Sequence, residues 1–316
     1  MKMHNIMRKR PIYTAADACD SAPMGDLQKK RAAELELIQD VASKCRSAVI
    51  TGPAAARWLG LATLTWVTRV DLVLPGNTKP WKRGDSQRIY RGGLLRETEH
   101  IVHNGIRTTT GIRAMFDSFR YHGRMEALVQ IESARFKHSH LNTDYLLEQA
   151  SALTQARGIK AFRALIEYSA DTSASPLETI VRDTILRAIA DGRLHGVHTL
   201  EFQVGFRIRE RDGRPTVAWA DILINGFIIV EADGVEKTSG VMGDAASMLR
   251  DERERETQLQ NQGAVVRRVG WGNATKPEFI AELQTAIDHN PGVKALPNRL
   301  DITYRDWLAE LELNAA

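Results

Sequence analysis

Three carboxylates flank a predicted β-hairpin in the last third of the chain. Two apolar runs are joined by Asn225-Gly226, a strong hairpin signal because both residues tolerate positive φ. Asp221 lies before the turn, and Glu231 and Asp233 lie after it. Folding gathers the three at one end of a sheet, where carboxylates repel one another unless a cation lies between them. Hard divalent cations such as Mg²⁺ prefer oxygen ligands, so this spacing predicts a metal site.

The length of the hairpin loop decides whether that site can form. With a two-residue turn, Asp221 and Glu231 would point to opposite faces of the sheet. A three-residue loop that ends at Phe227, with a glycine-assisted bulge, pairs Ile224 with Ile228 and brings Glu231 opposite Asp221. We therefore predict the three-residue loop.

A purely structural role is the alternative for these carboxylates. Asp221 could end an edge strand as a solvated residue that discourages strand addition, and Asp233-Gly234 could form a turn. Charge clusters also occur where no chemistry takes place, so the hairpin alone does not decide between the two.

The composition is that of an ordinary globular protein. The chain has 316 residues, of which 43% are hydrophobic, enough for two domains with buried cores. Cys19 and Cys45 are far apart in sequence, which argues against a zinc site and against a disulfide scaffold. No apolar run approaches the length of a membrane span, and we find no apolar signal core. We expect a cytoplasmic protein that does not enter the membrane.

Positive charge is concentrated in the first half of the chain. The net charge is +4, but residues 1–174 carry 26 Lys and Arg against 17 Asp and Glu, a net charge of +9. The basic residues are densest over 79–137, where aromatic residues are interleaved. Such a region is typical of polyanion binding, although it also occurs for solubility alone. We predict DNA contacts there, by Lys82, Arg83, Arg88 and Arg91.

Pattern and composition divide the chain into four segments. We predict a basic, polar arm over residues 1–28, a basic and mainly helical domain over 29–170, a second domain over 175–290, and a tail helix over 291–316. The second domain runs helix, strand, hairpin, helix, strand, helix, which indicates an α+β (mixed α/β) fold. The tail helix could dock on its own chain or form a homodimer.

The first helix of the second domain carries a fourth candidate carboxylate. Ser175 is placed as the N-cap, Pro176 as the first helical residue and Glu178 as the third. Glu178 could close a capping box on the backbone of Ser175. It also lies at the edge of the apolar stripe of this helix, from which it could contact a metal or a water molecule.

These residues together resemble the PD-(D/E)XK nuclease superfamily, in particular its small branch related to the very-short-patch-repair endonucleases. The resemblance covers residues 175–290 and rests on eight elements in the correct order. Beyond Ser175-Pro176-Leu177-Glu178 and the hairpin carboxylates, they are Gln203, Gly234 after Asp233, the pair Arg250-Asp251 and Arg267. It implies a restriction-endonuclease-like core, with a mixed central sheet flanked by helices. It also implies a Mg²⁺-dependent DNA endonuclease, in which Mn²⁺ can substitute, acting in foreign-DNA defence or in repair.

The resemblance assigns a role to each candidate. Asp221 and Glu231 would be metal ligands, and Ala232 would lend its backbone carbonyl. Glu178 would hold a metal-bound water, and Asp233 or Lys237 would tune the nucleophile. Four residues would support the site: Gln203, Arg250, Asp251 and Arg267.

One position departs from the superfamily pattern. Asp233 occupies the place where the superfamily has lysine, so that cation is missing. Lys237 is the nearest substitute, but it could equally be a solvated loop residue. Arg250 and Asp251 could belong to a solvated helix face, and Arg267 could pair with Asp251 rather than bind a phosphate.

The first half of the chain resembles, more loosely, the N-terminal region of AbiEi-type antitoxins. The resemblance is carried by Ala54-Ala-Ala-Arg-Trp-Leu-Gly-Leu61 and Gly105-Ile-Arg-Thr-Thr110. The order of elements near residues 47–61 also suggests a winged-helix arrangement. A second function is therefore open, that of a non-catalytic DNA-binding regulator that keeps a nuclease fold as scaffold.

Overall fold

The computed structural model describes residues 26–77, 86–234 and 245–315. Contacts divide the described chain into an N-terminal unit, Gln28–Ile180, and a C-terminal unit, Val181–Ala316. The described residues form ten α-helices and two five-stranded mixed sheets. The predicted α+β class is therefore confirmed.

The N-terminal unit combines a small mixed sheet with six helices among the described residues. Its helices are α1 (Asp26–Ser43), α2 (Gly52–Trp58), α3 (Gly111–His122), α4 (Arg124–Lys137), α5 (Thr143–Ala152) and α6 (Ile159–Tyr168). Its strands are β1 (Val49–Ile50), β2 (Val70–Val73), β3 (Arg88–Arg91), β4 (His100–His103) and β5 (Ile106–Thr109). The strand order is β3-β2-β1-β5-β4, with parallel pairing of β1 with β5 and of β2 with β3.

Burial explains why this sheet forms around its shortest strand. Val49 and Ile50 of β1 are fully buried, and the backbone of β1 is satisfied by neighbours on both sides. A second core lies among the helices, where Phe116, Leu128 and Phe162 are fully buried. The unit is mainly helical, as predicted, but its five-stranded sheet is larger than the wing of a winged-helix domain.

The C-terminal unit is built on a longer sheet. Helix α7 (Pro176–Ala190) carries the chain from one unit into the other, and three further helices follow: α8 (Ala245–Asn261), α9 (Pro277–His289) and α10 (Tyr304–Ala315). The strands are β6 (Leu200–Arg209), β7 (Pro215–Ile224), β8 (Ile228–Ala232), β9 (Val265–Val269) and β10 (Arg299–Thr303). Their order is β10-β6-β7-β8-β9, and only β8 and β9 are parallel.

The connections of this sheet follow from its pairing. Antiparallel β6, β7 and β8 follow one another directly, whereas the parallel pair β8 and β9 needs a crossover, which contains α8. The predicted order of helix, strand, hairpin, helix, strand, helix is confirmed. Strand β10 pairs with β6, so part of the predicted tail segment belongs to the sheet.

The β7–β8 loop has the three residues that the sequence predicted. Ile224 pairs with Ile228, and Asn225 and Gly226 have φ of 53° and 76°. A Cβ atom on Gly226 would lie 2.2 Å from the carbonyl oxygen of Lys294, so the neighbouring chain also requires glycine here. This loop sets the register in which Asp221 and Glu231 meet.

Candidate functional site

Four polar residues lie side by side on neighbouring strands of the C-terminal sheet: Gln203, Asp221, Glu231 and Arg268. We call these four residues the polar row. Continuing the hairpin register by one pair places Asp221 opposite Glu231. On β6, the residues before and after Gln203 pair with the residues after and before Asp221 of β7. Gln203 therefore lies opposite Asp221. The parallel pairing places Arg268 of β9 beside Glu231. Because paired residues of neighbouring strands share a face, Asp221, Glu231 and Arg268 lie on one face of the sheet.

Asp221 is the buried member of the row. Its side chain is 5% exposed, and its Oδ2 accepts a hydrogen bond of 2.9 Å from the backbone N–H of Ala232. Hydrogen bonds from backbone N–H groups to a carboxylate are short and directional. The bond therefore fixes the orientation of the Asp221 carboxylate and ties it to the end of β8, one residue beyond Glu231.

Arg268 is the centre of an ion-pair network at the end of the row. Its Nη1 lies 3.1 Å from Oδ2 of Asp233 and 3.2 Å from Oε1 of Glu252, and its Nη2 lies 2.9 Å from Oε2 of Glu256. Partial burial alone would lower the pKa of Arg268, but attraction to Glu252 and Glu256 and the hydrogen bond to Asp233 raise it above its usual value. The guanidinium thus remains cationic, and it is 33% exposed.

Strand alternation separates the two neighbouring arginines of β9. Arg268 shares a face with Glu231, whereas Arg267 pairs with Val230 on the opposite face and is exposed. The sequence resemblance selected Arg267 as the supporting arginine, and the structure brings Arg268 to the carboxylates instead. The sequence offers Arg267-Arg268 as adjacent candidates, and only the register of the parallel strands distinguishes them.

The remaining predicted residues are Gln203, the pair on α8 and Lys237. Gln203 is buried and has a φ of 51°, a left-handed conformation that is uncommon for residues other than glycine. Such conformations cluster at functional sites. Arg250 and Asp251 lie on α8 and are exposed, whereas Glu252 and Glu256 of the same helix contact Arg268. Lys237 lies outside the described residues.

Glu178 has a structural partner at the start of α7. Its Oε2 accepts a hydrogen bond of 2.8 Å from the backbone N–H of Ala174, and its own N–H lies 3.3 Å from Oγ of Ser175. The two bonds close the first turn of the helix, but the carboxylate reaches the backbone N–H of Ala174 and not that of Ser175, which the capping alternative named. Glu178 belongs to the N-terminal unit, and we leave it out of the proposed site.

Two of the predicted DNA-binding residues are described, both on β3. Nε of Arg91 donates to Oδ1 of Asp71 at 2.9 Å, and its guanidinium lies over the ring of Tyr121, so this arginine is held in place. Arg88 is partly exposed. Lys82 and Arg83 lie outside the described residues.

The polar row offers two adjacent carboxylates for a divalent cation. Within residues 26–77, 86–234 and 245–315, no group of three or more His, Cys, Asp or Glu is placed to hold a metal ion. Mg²⁺ is usually held by one or two carboxylates together with water and substrate phosphates, so it does not require such a group. Asp221 and Glu231, at directly opposed positions, fit that requirement.

Comparisons of the chain with protein-family models, with curated proteins and with solved structures found no match. The resemblance to PD-(D/E)XK nucleases therefore stays a prediction, and the chemistry must be argued from the geometry. None of the helices in the described part of the chain is long and apolar enough to cross a membrane.

Proposed function

We propose that the chain is a metal-dependent DNA endonuclease whose active site is the polar row. The observation that carries this proposal is the register of the sheet, which sets Asp221 opposite Glu231 with Arg268 on the same face. Two carboxylates and one cation, side by side on rigid strands, match what hydrolysis of a phosphodiester requires.

Three residues of the row have tasks in that reaction. A bound Mg²⁺ or Mn²⁺ would supply a Lewis acid and lower the pKa of a water molecule. Asp221 and Glu231 would hold the cation, and the Ala232 N–H keeps the Asp221 carboxylate oriented for this. The guanidinium of Arg268 would bind the scissile phosphate and offset the negative charge that grows on it, as preorganised donors do in other enzymes.

Asp233 acts in this scheme as a positioning residue. The superfamily that the second domain resembles has a lysine at the position of Asp233, so this chain lacks a cation there. Arg268 reaches the same end of β8 from the neighbouring strand and is paired with Asp233 at 3.1 Å. Asp233, Glu252 and Glu256 hold the guanidinium from three sides, which limits its motion and supports a cation beside Glu231.

Incubation of the purified chain with supercoiled plasmid tests the proposal. We expect nicked or linear DNA with Mg²⁺ or Mn²⁺ and intact plasmid with EDTA. Asp221→Asn and Glu231→Gln should each reduce cleavage by at least a hundredfold while melting close to the wild type. Glu278→Gln, a matched change of an exposed carboxylate on α9, should cut normally. If the first two variants cut like the wild type, the polar row is not the active site.

A non-catalytic DNA-binding regulator is the second candidate. The observation that favours it is the pairing of Asp233 with Arg268, which leaves the end of β8 engaged in ion pairs. The same plasmid assay separates the two functions. A regulator would bind DNA in EDTA and leave the plasmid intact under every metal.

A further inference from the structure

Four side chains at the end of α3 and β3 form a cluster in the N-terminal unit, and we call it the arginine–tyrosine cluster: Arg91, Arg120, Tyr121 and His122. Two guanidiniums lie against the ring of Tyr121, with Cζ of Arg91 4.7 Å and Cζ of Arg120 4.8 Å from the ring centroid. The Tyr121 hydroxyl donates to the carbonyl oxygen of Gly92 at 2.6 Å. The ring is therefore fixed, and it fixes both cations by cation–π contact.

Two buried aspartates anchor the cluster from below. Asp71, 2% exposed, accepts from Nε of Arg91 at 2.9 Å and also contacts Nε2 of His122. Asp117, 1% exposed, lies 3.3 Å from Nη1 of Arg120. Each aspartate also has a second cationic or hydroxyl partner, so its carboxylate does not depend on one arginine alone.

The count of donors shows unused binding capacity. Arginine has five N–H donors in a planar fork. Among the described residues, Arg120 donates one hydrogen bond, to Asp117, and Arg91 donates one to Asp71 and contacts His122 with a second nitrogen. The side chains of Arg120 and Arg91 are 18% and 21% exposed. Each guanidinium therefore keeps N–H donors that these hydrogen bonds do not use.

Two glycines lie beside the cluster. Gly92 and Gly93 follow β3 and are exposed. Gly93 has a φ of 138°, a conformation that favours glycine, and a Cβ atom there would lie in ordinary contact with Nη1 of Arg120, at 3.6 Å. The backbone of a bare Gly-Gly segment lets a ligand come close.

We propose that the arginine–tyrosine cluster binds a phosphate group. The planar fork of arginine matches phosphate oxygens in bidentate fashion, and here two forks are held against one ring. A nucleic-acid backbone and a free nucleotide both present this chemistry. The site belongs to the N-terminal unit alone, and it stands whether or not the polar row cuts DNA.

Binding measured in EDTA, where a metal-dependent nuclease cannot cut, tests the proposal. Arg120→Gln removes donors while Asp117 keeps Arg113 as a partner at 2.9 Å. Arg157→Gln is the matched control, because it removes the same charge from an exposed position of the same unit. Arg91→Lys keeps a cation for the buried Asp71 but loses the fork. Each full-length variant is first compared with the wild type by thermal melting.

The probes are a labelled DNA duplex, a labelled single strand, and ATP with inorganic phosphate in a thermal-shift assay. For DNA as the source, Arg120→Gln and Arg91→Lys should weaken binding about tenfold, as expected for a hydrogen bond to a charged group. Arg120→Gln should also reduce the log–log salt slope by about 0.9 for each phosphate that the variant no longer neutralises, and Arg157→Gln should change neither quantity appreciably. For a nucleotide as the source, stabilisation by ATP or phosphate disappears in the same two variants while DNA affinity is unchanged. If Arg120→Gln and Arg157→Gln behave alike with every probe, the cluster is not a phosphate site.

Discussion

Removing Arg268 and then restoring a cation at residue 233 is the sharpest test of the proposed mechanism. Arg268→Gln deletes the positive charge of the polar row, and Asp233→Lys in the same chain places a positive charge two residues beyond Glu231, directly after the end of β8. If the reaction needs a cation at the end of β8, the double variant should recover part of the activity that the single variant loses.

The structure sets the size of both effects. Loss of one preorganised donor to a developing oxyanion typically costs about 10²- to 10³-fold in kcat, and we expect that loss for Arg268→Gln. The three ion pairs of Arg268 are partly exposed, so each contributes roughly 0–1 kcal/mol and the free energy of unfolding should fall by about 1–2 kcal/mol. That loss is too small to unfold a typical domain, whose free energy of unfolding is about 5–15 kcal/mol.

Single-turnover cleavage of a labelled DNA, together with urea unfolding, measures both quantities. We expect Asp233→Lys with Arg268→Gln to cut at least tenfold faster than Arg268→Gln alone. Arg267→Gln, on the opposite face of the same strand, is the control and should cut like the wild type. An Arg268→Gln variant that cuts at the wild-type rate would refute the role of Arg268. A wild-type chain that never cuts would instead refute the nuclease proposal itself.

Three further predictions concern stability and capping. Gly226→Ala should destabilise the chain by about 2–4 kcal/mol in urea unfolding, because the position has positive φ and a Cβ would lie 2.2 Å from a carbonyl oxygen. Glu178→Ala should cost about 1 kcal/mol through removal of a helix cap without slowing cleavage, and slow cleavage at unchanged stability would show a catalytic role. Burial alone would raise the pKa of Glu99, but backbone N–H groups of Thr154 and Arg96 and the charge of Arg113 lower it below 4.5. Glu99 therefore stabilises the fold above about pH 4.5 and loses this contribution as the pH falls through its folded pKa, so the stability gap to Glu99→Gln should narrow on acidification.

Local sequence signals predicted the hairpin and the helix start well. Asn225-Gly226 can take positive φ at both residues, and the need to bring Glu231 opposite Asp221 selected a three-residue loop, which the structure has. Ser175 and Glu178 carry a capping signal that requires only neighbours in the chain, and the structure shows the Ser175 bond as expected and the Glu178 bond one residue earlier, at Ala174. Interactions between residues a few positions apart can be predicted from the sequence, because the chain itself keeps the two residues close together.

Long-range register could not be read in the same way. Choosing Arg268 over Arg267 requires knowledge of how β8 pairs with β9. In the sequence these two strands are separated by α8. A shift of one residue would exchange the two side chains between faces, and nothing in Val265–Val269 marks the correct register. Asp71, the buried partner of Arg91, lies in a short strand. Nothing in the sequence indicates that this charged residue is buried.

The distribution of charge constrains how the two proposed sites could cooperate. Among the residues whose contacts around Arg268 are described, the carboxylates of Asp233, Glu252 and Glu256, with Asp221 and Glu231 in the row, outnumber its guanidinium, and on our proposal this excess of negative charge opposes a DNA phosphate until a cation binds. In the arginine–tyrosine cluster, the buried aspartates are balanced by cations and the remaining donors are accessible. The proposals together imply that initial binding does not need metal and belongs to the N-terminal unit. Asp221 and Glu231 would then hold a divalent ion that offsets their negative charge and supplies the Lewis acid, and Arg268 would bind the phosphate beside them.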